Sequence, residues 1–315
     1  MDTGVPTVAA RLTWDHGFPH PDWRSLSAMI EPSLPPETFH WVTTQMEAEW
    51  MLLLRNHLGG DYQVHEGPRT LLLTDLPRHE ARETLDFIEQ TLLTLTHALM
   101  GHADQATSGM HIVIVMSEED DYYSYIAHFF SERLFRLTSG VCVRSGGEVH
   151  VVVNGAGPAL RRTLAQQLGY DLLSQQRMPI WIEEGLVHVL TSYVLKEGEP
   201  KFDETGLAAQ RQLWTSLGMD LFWGGAAFYQ TDDTTQKAYE LAELLVRTMN
   251  RIDAQAFDRF VGAAHPLDAG EPACRGLFGV SLRHIVREVL GEGPWAAPPW
   301  NGDAGTLSYG PSDDQ

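Results

Sequence analysis

The chain has 315 residues, of which 22 are Lys or Arg and 42 are Asp or Glu, a formal net charge of −20. That balance lacks the clustered cations that a nucleic-acid surface or an anionic membrane face requires, so neither is expected as a partner. Two cysteines, Cys142 and Cys274, are too few for a disulfide scaffold or a zinc ribbon and read as small buried hydrophobes.

The chain opens without a basic and then apolar leader, and no apolar run approaches the roughly 18 residues of a membrane span, so a cytoplasmic location is expected. Residues 1–35 are rich in Pro, Trp and His without helical period and read as an extended N-terminal arm. Gly17 and Pro19 keep His16 and His20 from sharing a helix face. Pro36 and Glu37 then start an amphipathic helix to about Leu58, with Phe39, Val42, Met46, Trp50 and Leu53 on one stripe, and Gly59-Gly60 ends it.

From about residue 68 strands and helices alternate. Residues 70–74 form a strand, and 78–100 a helix with Leu85, Ile88, Leu92 and Leu95 on one stripe. Residues 111–116 form a buried strand. Ser117 with Glu118, Glu119 and Asp120 caps a helix through Phe130, because acids favour the N-terminal turn. Residues 140–143 and 148–153 pair as a hairpin around Ser145-Gly146-Gly147. Beyond residue 157 the signals are helical, over 158–173, 179–194, 204–217, 234–250, 253–263 and 279–290. Strands mixed with helices, then helices alone, predict an α+β fold with a mixed-sheet lobe followed by a helical lobe. Residues 291–315, rich in Gly and Pro and without Lys or Arg, read as a flexible tail.

Most familiar chemistries find no footing. No G-x-S-x-G elbow is present. Asn154-Gly155-Ala156-Gly157 lacks the lysine and the further glycines of a phosphate loop and reads as a strand-to-helix turn. His65-Glu66-Gly67-Pro68 contains a helix-breaking proline, and His79 with Glu83 lies in a first helical turn, where acids are favoured in any case. The apolar stretch from Leu221 to Tyr229 reads as core.

Two segments carry more information. Gln166-Gln167-Leu168-Gly169-Tyr170 lies on a helix after an apolar strand and a Gly-Pro turn. Pro179-Ile180-Trp181-Ile182-Glu183-Glu184-Gly185-Leu186-Val187-His188 follows as a proline-initiated helix bearing Glu-Gly-Leu. This arrangement resembles the gluzincin metallopeptidases, in particular the peptidase MA-like group, in which a helix with H-E-L-x-H is followed by a Pro, a Trp and an E-G-L-A-E helix. The order of elements before it and the helices after it extend the resemblance over about 69–290. It implies a gluzincin-like domain over 36–290, with two lobes.

In that group two histidines four apart and a carboxylate from the next helix hold zinc, and the motif's Glu deprotonates the bound water. Here Gln166 and Tyr170 stand at the histidine positions and Gln167 at the general base, while Glu184 stands at the third-ligand position. An amide and an un-ionised phenol are poor zinc ligands, and an amide cannot take a proton from water. The resemblance therefore implies a pseudo-peptidase with no catalytic residue, no metal and no cofactor. Gln166, Gln167, Tyr170, Glu184 and His188 would line a vestigial pocket, with Gln166, Tyr170 and Glu184 converging, and an unidentified protein or peptide would bind in the former substrate cleft. The alternative is a hydrolase with a metal site rebuilt around Glu184 and His188, four residues apart on one helix face, with Tyr170 nearby.

Overall fold

In the computed structural model the described residues are 7–15, 17–30, 34–99, 110–130 and 138–297. The chain divides into two compact units, with the main boundary between Ser174 and Gln175. The fold is α+β. No helix among the described residues is long and apolar enough to cross a membrane.

The first unit begins with a short 3-10 turn, Val8–Arg11, and a two-stranded antiparallel hairpin of β1 (Leu12–Asp15) and β2 (Phe18–Pro21). Helix α1 (Trp23–Ile30) follows. This corrects the extended-arm reading. Asp22 accepts the Ser25 backbone N–H at 3.0 Å, an N-terminal cap, and Trp23, Leu26 and Ile30 recur at helical spacing and are buried. Their apolar side chains join Val8 and Phe18 in the unit's core. An arm with that much apolar surface is more stable folded than solvated.

Helix α2 (Pro36–Leu58) occupies the range its apolar period predicts. Strands β3 (Gln63–Glu66) and β4 (Thr70–Thr74) follow, then α3 (Arg78–Ala98), β5 (His111–Met116) and α4 (Glu119–Ile126). Strands β6 (Gly140–Ser145) and β7 (Glu148–Asn154) and helix α5 (Pro158–Leu172) complete the unit. The five-stranded sheet has the order β3-β4-β5-β7-β6, in which β4, β5 and β7 run parallel while β3 and β6 run antiparallel to their neighbours. The central strands are buried on both faces, which is why they read as unbroken apolar runs. One face, with Leu71, Leu73, Ile112, Ile114, Met116 and Val152, shares a core with Met46, Trp50 and Leu54 of α2 and Tyr122 and Tyr125 of α4. Helix α5 packs on β6, β7 and α3.

The β6–β7 hairpin closes with Ser145 opposite Glu148. Its two loop residues, Gly146 and Gly147, have φ of 62° and 91°, the left-handed pair that a tight hairpin turn demands. Ser117 does not cap α4. Its backbone N–H goes to Asp75 Oδ1 at 3.1 Å, and the helix starts after Glu118 and ends at Ile126, short of Phe130.

The second unit is helical. It contains α6 (Ile180–Val194), α7 (Glu204–Leu217), the single-turn α8 (Asp220–Trp223), α9 (Asp233–Ile252), α10 (Ala254–Ala263), α11 (Glu271–Phe278) and α12 (Leu282–Leu290). Trp181, Phe222, Phe228 and Phe260 fill its interior, so the aromatic part of the 221–229 stretch is largely core, with Tyr229 at its exposed end. The C-terminal segment is packed as far as it is described. Trp295 is buried, its indole N–H donates to the Gly291 carbonyl at 2.6 Å, and its own carbonyl accepts from Trp223 Nε1 at 3.3 Å. The remainder of the expected tail, 298–315, lies outside the described residues. Cys274 is buried as expected, and burial pushes its thiol up to about 12; Cys142 is only half-buried.

Candidate functional site

The five expected pocket residues fall on two helices, Gln166, Gln167 and Tyr170 on α5 in the first unit and Glu184 and His188 on α6 in the second. On α5, Gln166 and Tyr170 are half-buried and one turn apart, so they share a face. Gln167 is buried and turned toward β6. A Cβ added at Gly140 of β6 would come 3.1 Å from Gln167 Cγ and 2.5 Å from Thr163 Cγ2. The missing side chain at Gly140 is what lets α5 lie this close to the strand. The Tyr170 carbonyl accepts from Arg144 Nη2 at 2.9 Å.

One residue further along α5, Asp171 makes a contact that the sequence reading did not single out. Its Oδ2 lies 2.6 Å from Nδ1 of His111, the first residue of β5. Burial by itself would lower the imidazole's pKa, but the carboxylates of Asp171, Glu89 and Glu47 more than offset it and hold it above its ordinary value. Glu47 of α2, 2% exposed, accepts the Met110 N–H at 2.8 Å. A usable signal was present. Glu47 lies beside Met46 on α2 and one turn before Trp50 and Met51, and a buried acid needs a partner.

A second polar group in the first unit is built from rings. The Tyr125 hydroxyl and His150 Nε2 are 2.9 Å apart inside the core, with Trp50 and Phe129 edge-on to the imidazole. Burial, reinforced by nearby His20, pushes His150 down to about 3, so its imidazole is neutral. His20 of β2 stacks on His128 with ring centroids 3.7 Å apart, and His128 Nδ1 lies 2.5 Å from Asp15 Oδ2 of β1. These contacts fasten the β1–β2 hairpin to the turn after α4.

In the second unit the residues flanking Glu184 serve packing. The Trp181 indole is fully buried and donates to the Ala269 carbonyl at 3.0 Å. A Cβ at Gly185 would sit 2.6 Å from the Ala242 carbonyl oxygen and 2.7 Å from Val246 Cγ2, so α6 and α9 cross in near contact there. Glu184 is buried, and the His188 ring stacks on Tyr239 of α9 at 4.9 Å between centroids.

A zinc ion of the kind that active members of the resembled group hold would not fit the side chains that α5 presents. Gln166 and Gln167 offer amides and Tyr170 a phenol, which are poor zinc ligands, and an amide cannot serve as a general base. A rebuilt site would need a third ligand beside Glu184 and His188, and among the described residues no group of three His, Cys, Asp or Glu side chains could hold a metal ion. No protein-family model matches the chain, and no curated protein sequence matches it.

Proposed function

We propose that this chain is a non-catalytic, gluzincin-like protein that binds a protein or peptide where an active member of that group would hold its substrate. The observation that carries the reading is the content of α5. It follows a mixed sheet and hairpin in the order strand, helix, strand, helix, hairpin, helix, and presents Gln166, Gln167 and Tyr170 at the spacing of a His-Glu-x-x-His motif. The next helix, α6, is introduced by Pro179 and carries Trp181, Glu184 and Gly185 in the matching places. A scaffold of that kind whose ligands and base have become amides and a phenol retains a shape and loses a reaction. The net charge of −20 favours a partner other than nucleic acid or an anionic membrane.

The test is metal content and its linkage to stability. Full-length protein purified without chelator should carry well under one equivalent of zinc, and a chelator should leave its melting temperature unchanged. One tightly held equivalent, removed by chelator with loss of stability, would overturn the proposal in favour of a rebuilt metal site.

A further inference from the structure

We propose that Glu47, His111 and Asp171 form a proton-holding clamp at the start of β5, which seats α5 against the sheet and loosens when Glu47 gives up its proton. The clamp grips two successive residues from opposite sides. Met110 is held through its N–H by Glu47 of α2, 2.8 Å away, and His111 through its imidazole by Asp171 of α5, 2.6 Å away. The helix seated in this way is the one that carries Gln166, Gln167 and Tyr170.

The charge count explains why a proton must be retained. Three carboxylates act on the His111 imidazole, Asp171 of α5, Glu89 of α3 and Glu47 of α2, and Glu148 of β7 feels two of them. Asp171 is in direct contact with that imidazole, and the two side chains are only 6% and 11% exposed. Arg144 of β6 donates to the Tyr170 carbonyl, and Tyr125 of α4 feels the charge of Glu148. Of the other elements against α2, β4 has no ionisable side chain, β2 and β3 bring His20, His65 and Glu66, and the Val8–Arg11 turn brings Arg11, whose charge acts on Asp22. The charge that acts on Glu47 is that of His111.

A buried carboxyl whose nearest imidazolium already serves another acid is more stable neutral. Burial raises Glu47 to about 7, against the Met110 N–H and His111, which favour its ionised form. Glu148 is held well above its ordinary value by burial first, then by Glu47 and Asp171. A carboxyl raised in the folded state contributes stability that is complete below its ordinary value of 4.5 and lost as pH rises through about 7. Ionisation then leaves a carboxylate that is 2% exposed with the Met110 N–H as its hydrogen-bond partner, and opening at the strand start is what admits water to it.

The experiment uses the full chain and the variant Glu47→Gln, which copies the shape of the protonated acid and still offers Met110 an acceptor. Melting temperatures of variant and parent are compared from about pH 5 to about pH 8. The variant should gain on the parent by several degrees up to about pH 7 and hold that lead above it. In the parent, hydrogen-exchange protection factors across 111–116 should fall over the same range. A difference between variant and parent that stays constant with pH would overturn the clamp. Should Glu47→Gln not fold, parent protection factors that are independent of pH would overturn it equally.

Discussion

His111 Nδ1 and Asp171 Oδ2, 2.6 Å apart, join the first residue of β5 to the last turn of α5 across the layer boundary of the first unit. The pair is nearly closed to water, so salt screens it little, and removing one partner strands the other's charge in the interior. Asp171→Asn should therefore cost about 3–5 kcal/mol of stability in urea denaturation. The double variant Asp171→Asn, His111→Asn should cost less than the sum of the two single changes, because each single change already breaks the contact. Strict additivity would show that the contact contributes nothing beyond the separate side chains.

His150 should set an acid limb opposite in sign to that of Glu47. Its folded value of about 3 lies below the ordinary 6.5, so the folded state keeps the imidazole neutral. A depressed histidine contributes stability that is present above about pH 6.5 and lost as pH falls toward 3. His150→Gln should thus gain on the parent as pH is lowered from about 6.5 to about 4, measured as the difference in melting temperature. A difference that does not change with pH would mean that the buried imidazole accepts a proton without cost.

Gly185→Ala should destabilise the second unit by about 1–3 kcal/mol, because the new methyl meets the Ala242 carbonyl, a backbone atom that cannot rotate away. Gly198→Ala is the control. A Cβ there has no heavy atom within 4 Å, and its effect should stay within about 0.5 kcal/mol. Equal effects at the two positions in chemical denaturation would contradict the close crossing of α6 and α9.

The sequence made legible the elements whose period is set by burial. The apolar runs of β4 and β5 and the stripe of α2 stand where their pattern puts them, and Gly146-Gly147 marks the hairpin turn. Short elements were harder to read. β1 and β2 are four residues each, the second bounded by Phe18 and Pro21, and their pairing depends on a partner strand rather than on alternation. β3, Gln63–Glu66 with Val64 as its one apolar residue, exists because β4 pairs with it. α11 begins at Glu271-Pro272, a helix-start signal that the eye passes over beside the stronger pattern of α12. At the candidate site, the sequence placed Gln166, Gln167 and Tyr170 together on one helix and Glu184 and His188 on another. The His111–Asp171 pair stayed hidden, because a contact between residues 60 positions apart leaves no mark in local spacing.

The most direct test of the proposed function is to restore the motif. Gln166→His, Gln167→Glu and Tyr170→His together recreate H-E-L-G-H on α5, and calorimetric titration with zinc at neutral pH then compares the triple variant with its parent. If α5 and α6 face each other as they do in the gluzincin group, two imidazoles and Glu184 suffice for a zinc site with one position open to water. We expect the folded triple variant to bind zinc at least tenfold or so more tightly than the parent, the order of difference that even supporting residues of such sites command. A folded triple variant with no gain in zinc affinity would contradict the gluzincin-like reading.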